Sequence, residues 1–256
     1  MIKFVQKPLL PADCSDLVIS SRYYAFFENK LKELGIRAFL LSDNRQLPKE
    51  TACHTDLSVF HAGGNLLYIS QYYKDSPFSE RMLGAGFEIR YFEKELSEMY
   101  PEDVGGNVCF FGNLSVLNTR TADPGIKKYL NSCGAVQIDV KQGYTKCSIC
   151  VIDEQSIITN DRIISEKAKQ AGMDVLLSDP TYIRLEGFQH GFIGGSAFKT
   201  AYDKLCFTGV LDFFPSIERK GILEFLDKKG IEPVFLSELP LFDIGGAVPL
   251  LEKDSI

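Results

Sequence analysis

Tryptophan is absent from this 256-residue chain and histidine occurs only three times, so any site built on imidazole must use His54, His61 or His190. No run approaches the ~18 uninterrupted apolar residues that would span a bilayer. The N-terminal Met-Ile-Lys-Phe-Val-Gln-Lys-Pro also lacks the apolar centre of a signal peptide. These absences predict a soluble, cytoplasmic protein with no membrane partner. Seven cysteines, an odd number at positions 14, 53, 109, 133, 147, 150 and 206, make no disulfide framework and fit a reducing compartment. With a net charge of -6 and dispersed Lys and Arg, the chain has no basic stripe for phosphate backbones. Nucleic acid is therefore excluded as a partner.

Two cofactor signals are missing as well. Gly63-Gly64 has no strand-to-helix context and makes no phosphate loop. Cys147-x-x-Cys150 has no second pair, and on a strand its two thiols point to opposite faces. Neither a cofactor nor a metal is expected, and these two cysteines read as buried structural residues.

What the chain does contain is a recurrent junction. Five times an expected helix ends at a glycine leading into an apolar strand, at Gly35, Gly86, Gly134, Gly172 and Gly230, with spacings of 51, 48, 38 and 58 residues. Glycine suits the left-handed position just past a helix. Before each helix, where the chain is long enough, come two β-like runs: 56–60 and 66–69, 107–111 and 114–117, 147–152 and 156–158, 196–198 and 205–207. The unit is strand-strand-helix-strand. The first unit lacks its opening strand, and residues 244–251, which no helix follows, can supply it beside residues 16–19. Such pairing closes a ring and removes exposed sheet edges. The competing doubly wound parallel sheet requires one strand per helix and a Gly-rich nucleotide loop.

With those units, the chain resembles the penteins, the α/β propeller fold of pseudo-fivefold symmetry shared by guanidino-group-modifying enzymes. The resemblance covers residues 16–251. Three units open with apolar-Gly-Gly-x, at Val104, Ile193 and Ile244, and His54-Thr-Asp56 is similar to the His-x-Asp of the deiminases. It implies a single α/β domain over residues 1–256 with five blades: 243–256 plus 12–45, 52–95, 104–141, 143–180 and 192–240. Members of the fold use a Cys nucleophile, a His acid/base and carboxylates that grip a guanidinium. This chain departs from that pattern. The family's nucleophile position falls on Pro249 and its His on Tyr144, while its Glu and following Asp become Val104 and Asn107.

Strand alternation through residues 55–59 sends Asp56 and Ser58 toward the ring axis. The same parity sends Asn107 and Cys109, then Tyr144, Lys146, Ser148 and Cys150, inward. Cys109, His54 and Asp56 are accordingly the catalytic candidates. Asn107, Tyr144, Lys146, Ser148, Ser196 and the loop residue His190 are the ligand-binding candidates. Inward polar groups must be paired or wet. The outcome is either a hydrated cavity or a self-satisfied plug containing an Asp56–Lys146 ion pair.

Two functions remain open. One is an amidinohydrolase-like C–N hydrolase or transferase acting on a small polar amidino or guanidino compound through a Cys nucleophile. The other is a catalytically degenerate pentein that binds a small guanidinium or ammonium ligand, or a protein.

Overall fold

The computed structural model describes residues 3–254. In chain order they form β1 (Lys3–Phe4), β2 (Cys14–Ser20), α1 (Tyr24–Glu33), β3 (Arg37–Leu41), α2 (Thr55–Ser58), β4 (Val59–Gly63), β5 (Leu66–Ile69), α3 (Pro77–Gly84) and β6 (Glu88–Tyr91). There follow β7 (Cys109–Phe111), β8 (Leu114–Leu117), α4 (Pro124–Ser132), β9 (Val136–Asp139), β10 (Ile149–Asp153), β11 (Ser156–Thr159), α5 (Arg162–Gln170) and β12 (Asp174–Leu177). The remaining elements are β13 (Ala197–Ala201), β14 (Lys204–Phe207), α6 (Ser216–Lys228), β15 (Glu232–Phe235) and β16 (Val248–Glu252).

Four sheets share one pattern: an antiparallel hairpin, a helix, and a third strand parallel to the second. The fifth reaches it with both ends of the chain. β16 pairs antiparallel with β2, Val248 opposite Val18 and Pro249 opposite Leu17, and β2 runs parallel to β3. β1 adds an edge strand to β16. The C-terminal strand thus occupies the place expected for it, although it begins at residue 248 rather than 244. Residues 255 and 256 of the first expected blade lie outside the described residues.

All five junction glycines have positive φ, from 66° to 93°. At Gly172 the N–H bonds back to the Lys169 carbonyl and that of Met173 to Ala168, closing the α5 carbonyl end, and Met173 packs in the same core as Ala168. A side chain added at Gly172 would meet nothing within 4 Å, so the backbone angle alone calls for glycine there. At the other helix ends, Ser76, Asp123 and Asp161 accept backbone N–H bonds as caps.

The apolar core is divided into five clusters, each built from two sheets. One joins Val18 and Leu250 to Leu67 and Ile69, the next joins Phe60 to Phe110 and Leu117, and a third joins Cys109 and Val116 to Ile149 and Ile157. The fourth joins Ile152 and Ile158 to Leu205 and Phe207, and the last joins Phe198 and Cys206 back to Leu17 and Ile19. Five small sheets so packed fit a pseudo-fivefold arrangement. Among the described residues no helix is long and apolar enough to cross a membrane.

The opening strands start later than the sequence suggests. Residues 55–58 are helical and residues 145–148 form a turn, so strands begin only at Val59 and Ile149. The strand parity expected for Asp56, Lys146 and Ser148 does not apply, because side chains on a tight turn do not alternate between two faces.

Candidate functional site

The two turns that precede β4 and β10 are tied together by Asn107. Its Oδ1 accepts bonds from the Lys146 and Cys147 amides (2.7 and 3.2 Å), and its Nδ2 donates to the Asp56 carbonyl and to Cys147 Sγ (3.3 and 3.1 Å). Thr145 Oγ1 donates to the Asn107 carbonyl. Asn107, a ligand-binding candidate from the sequence, thus spends its side-chain amide on clamping the two turns together.

Within that clamp three reactive side chains converge. Cys147 Sγ donates to Asp56 Oδ2 at 3.1 Å, and one donor atom each of His54, Asp56 and Cys147 lies within 4.8 Å of the others. Lys146 Nζ is 3.9 Å from the same Asp56 oxygen and donates to the Gly194 carbonyl, so the expected ion pair is present. His54 Nδ1 is 3.8 Å from Asp243 Oδ1. Asp243 is fixed in turn by the Gly245 and Phe192 amides, each 2.9 Å from a carboxylate oxygen. Glycine permits this approach: a Cβ on Gly195 would sit 1.9 Å from Asp243 Oδ1, and one on Gly245 would sit 2.5 Å from the His54 Cα. Two buried atoms of the cluster have no hydrogen-bond partner, His54 Nε2 and Asp56 Oδ1.

Burial pushes the Asp56 carboxyl up to about 6, against the pull of Lys146 and then His54. Burial, followed by the negative charges of Asp56 and Asp243, raises the Cys147 thiol well above its ordinary value. At rest the cluster therefore holds a neutral thiol directed at a carboxylate.

His54 and Cys147 open onto a cavity of about 280 Å³. Thr51, Tyr144, Phe192 and Asp243 form its walls, and the loop residues Leu185, Phe188, Gln189 and His190 also line it. Tyr144 stacks between Tyr100 and Phe192, and its hydroxyl donates to Asp103. Tyr144 and His190 thus face the cavity, while Lys146 is directed to Gly194. Ser196 bonds to the Ile193 carbonyl within its own turn. Ser148 Oγ is buried without a partner.

Cys109 is not part of this cluster. It is fully buried in β7 among Phe111, Val116 and Ile149, and burial pushes its thiol up to about 12. Alternation placed it on the axis side, but that side is filled here by apolar packing between adjacent sheets. The cysteine beside His54 and Asp56 is Cys147, which reads from the sequence as structural. Asp243 was also missed, although a signal existed: aspartate precedes apolar-Gly-Gly twice, at Asp103-Val-Gly-Gly and Asp243-Ile-Gly-Gly. Both aspartates anchor a cavity side chain, Tyr144 and His54 respectively.

The chain belongs to a family of unknown function (DUF6873), which matches residues 18–248. No curated protein matches the sequence. Solved structures with similar folds include DDAH from Pseudomonas aeruginosa complexed with citrulline, at 8% identity and a TM-score of 0.55, covering 88% of this chain and 93% of that one. An inosamine-phosphate amidinotransferase from Streptomyces griseus matches at 9% identity and a TM-score of 0.59, covering 100% and 98%. An agmatine deiminase from C. jejuni matches at 10% identity and a TM-score of 0.56, with the same coverage. These are pentein proteins, and at such identities the likeness is one of fold.

Proposed function

We propose that this DUF6873 protein is a thiol-dependent enzyme acting at the amidino or guanidino carbon of a small compound, with Cys147 as nucleophile and His54 as general acid and base. The observation that carries the reading is the 3.1 Å contact between Cys147 Sγ and Asp56 Oδ2 beside His54 at the wall of a cavity. We further read the five sheets as one closed five-blade ring and one domain. The five core clusters, each shared by two sheets in cyclic order, support that closure. Seven free thiols suit a reducing cytoplasm.

The chemistry follows from the charges. A cationic amidinium entering the cavity offsets the negative field of Asp56 and Asp243 and favours the thiolate. As sulfur attacks the amidino carbon, Asp56 takes the thiol proton, and His54 protonates the departing amine. For hydrolysis, His54 then activates a water that adds to the carbon of the enzyme-bound thioimidate; the C–S bond breaks, the amide or urea product leaves, and the Cys147 sulfur takes back the proton held by Asp56. Asp56 acts behind the thiol, and Asp243 positions the imidazole.

The same cavity restricts the rest of the substrate. No Lys or Arg lines it among the described residues, whereas Leu185, Phe188 and Phe192 do. A substrate tail bearing a carboxylate would lose its hydration without gaining a cationic partner. The preferred substrate therefore carries an amidino head and a compact apolar or aromatic flank, sized for a cavity at the low end of the roughly 300–1,000 Å³ range of ligand sites.

A binding role without turnover is the second reading, and the raised Cys147 thiol favours it. Parallel labelling with 2-chloroacetamidine and neutral 2-chloroacetamide separates the two. The enzyme reading predicts modification of Cys147 by the amidine at least about tenfold faster than by the amide, because docking of the cation activates the thiol. Equal, slow labelling of all buried thiols supports binding alone.

A further inference from the structure

We propose that His54, Asp56 and Cys147 also form a binding site for a thiophilic divalent cation of the zinc class, which on binding withdraws Cys147 from chemistry. The three offer one nitrogen, one oxygen and one sulfur within 4.8 Å. A tetrahedral ion with bonds of about 2.0–2.3 Å needs its ligands roughly 3.3–3.8 Å apart, so small side-chain rotations suffice. Cys147 Sγ and Asp56 Oδ2 are already 3.1 Å apart.

Two further observations point to a ligand. His54 Nε2 and Asp56 Oδ1 are buried polar atoms with nothing to bond, on side chains only 2–3% exposed. Asp243 lies behind His54 at its Nδ1, the placement by which a carboxylate orients a metal-bound imidazole. Formal charge agrees. With a neutral thiol, Asp56 and Asp243 outweigh Lys146 by one negative charge, and a divalent ion that displaces the thiol proton leaves the cluster neutral. His54 and Cys147 line the cavity, which gives an entry path and room for water. Nitrogen and sulfur donors select zinc-class ions over calcium or magnesium, which take oxygen.

That the ion silences the protein rests on Cys147 being the nucleophile; that it binds does not. The test uses the full chain after treatment with a chelator, with Co²⁺ as probe and Zn²⁺ as competitor. One equivalent of Co²⁺ is expected to give thiolate-to-cobalt absorption in the near ultraviolet, displaced by Zn²⁺, lost in Cys147→Ala and kept in Cys109→Ala. Zn²⁺ is expected to slow labelling of Cys147 by 2-chloroacetamidine by more than about tenfold, reversed by the chelator. Absence of the absorption, or its persistence in Cys147→Ala, overturns the site. If the absorption is absent while the amidine still labels Cys147, the metal inference falls and the catalytic reading stands. If the absorption forms in a protein whose Cys147 no amidine labels, the ion site stands and the catalytic reading falls.

Discussion

Cys109 and Cys147 are both buried and both have raised thiols, yet they belong to different parts of the molecule in a physical sense. Cys109 sits on a strand with Phe111 and Val116 for company, and burial is the largest cause of its raised thiol, with Lys146 pulling the other way. Cys147 sits on the turn before a strand, touching Asp56 and Asn107 at the edge of a cavity, and nearby charges add to its burial. Burial does not separate a core thiol from a site thiol. Polar partners and an opening do.

The largest effect that sharpens this contrast is chemical. Cys147→Ser is expected to lower amidine turnover by at least about a thousandfold with little change in melting temperature, whereas Cys109→Ser keeps its turnover. Comparable losses in both variants would erase the distinction. His54→Gln should slow hydrolysis of an amidine substrate by about 10²–10⁴, because the leaving amine needs a proton. Alkylation by 2-chloroacetamidine, whose chloride departs without one, should fall much less in the same variant. Equal losses in the two assays would assign His54 to thiol activation instead.

On the core side the expected effects are in stability. Cys109→Ser buries a hydroxyl among apolar groups and should cost about 1–3 kcal/mol in denaturant unfolding; no loss would mean that the thiol is wetter than its packing implies. Lys199 supplies a pH test from another strand. It is buried in β13, donates to the Tyr202 carbonyl, and burial lowers its ammonium to about 8. Its folded value lies below the unfolded one, so between pH 8 and 10.5 the unfolded chain holds more of the proton. Stability from this group therefore rises with pH across that window, by up to about 1.4 kcal/mol per pH unit. Lys199→Met should lack the rise, and an unchanged pH profile would contradict the assignment. Smallest is Gly172→Ala, which should cost about 1 kcal/mol through backbone angle alone, checked by thermal unfolding.

The same contrast explains what was legible in the sequence. Helix ends, third strands and the C-terminal pairing beside residues 16–19 follow from periodicity and glycine placement, and they are found. The short helix at Thr55–Ser58 and the turn at residues 145–148 hold Asp56, Lys146 and Cys147, and there a period of two has no physical basis. His54 and Asp56 stand out in the sequence because His-x-Asp is a recognisable pair. Cys147 does not stand out, because strand parity turns it away from the axis while the chain there forms a turn. Asp243 is harder to read, because the glycine that makes room for its carboxylate, Gly195, is distant in sequence.

The most direct test of the account is a crystal structure of the protein after reaction with 2-chloroacetamidine. The account predicts a covalent adduct continuous with Cys147 Sγ, its amidinium in the cavity between His54 and Phe192, and Cys109 unmodified. An adduct on another cysteine, or an unmodified Cys147 with the cavity unchanged, would contradict it.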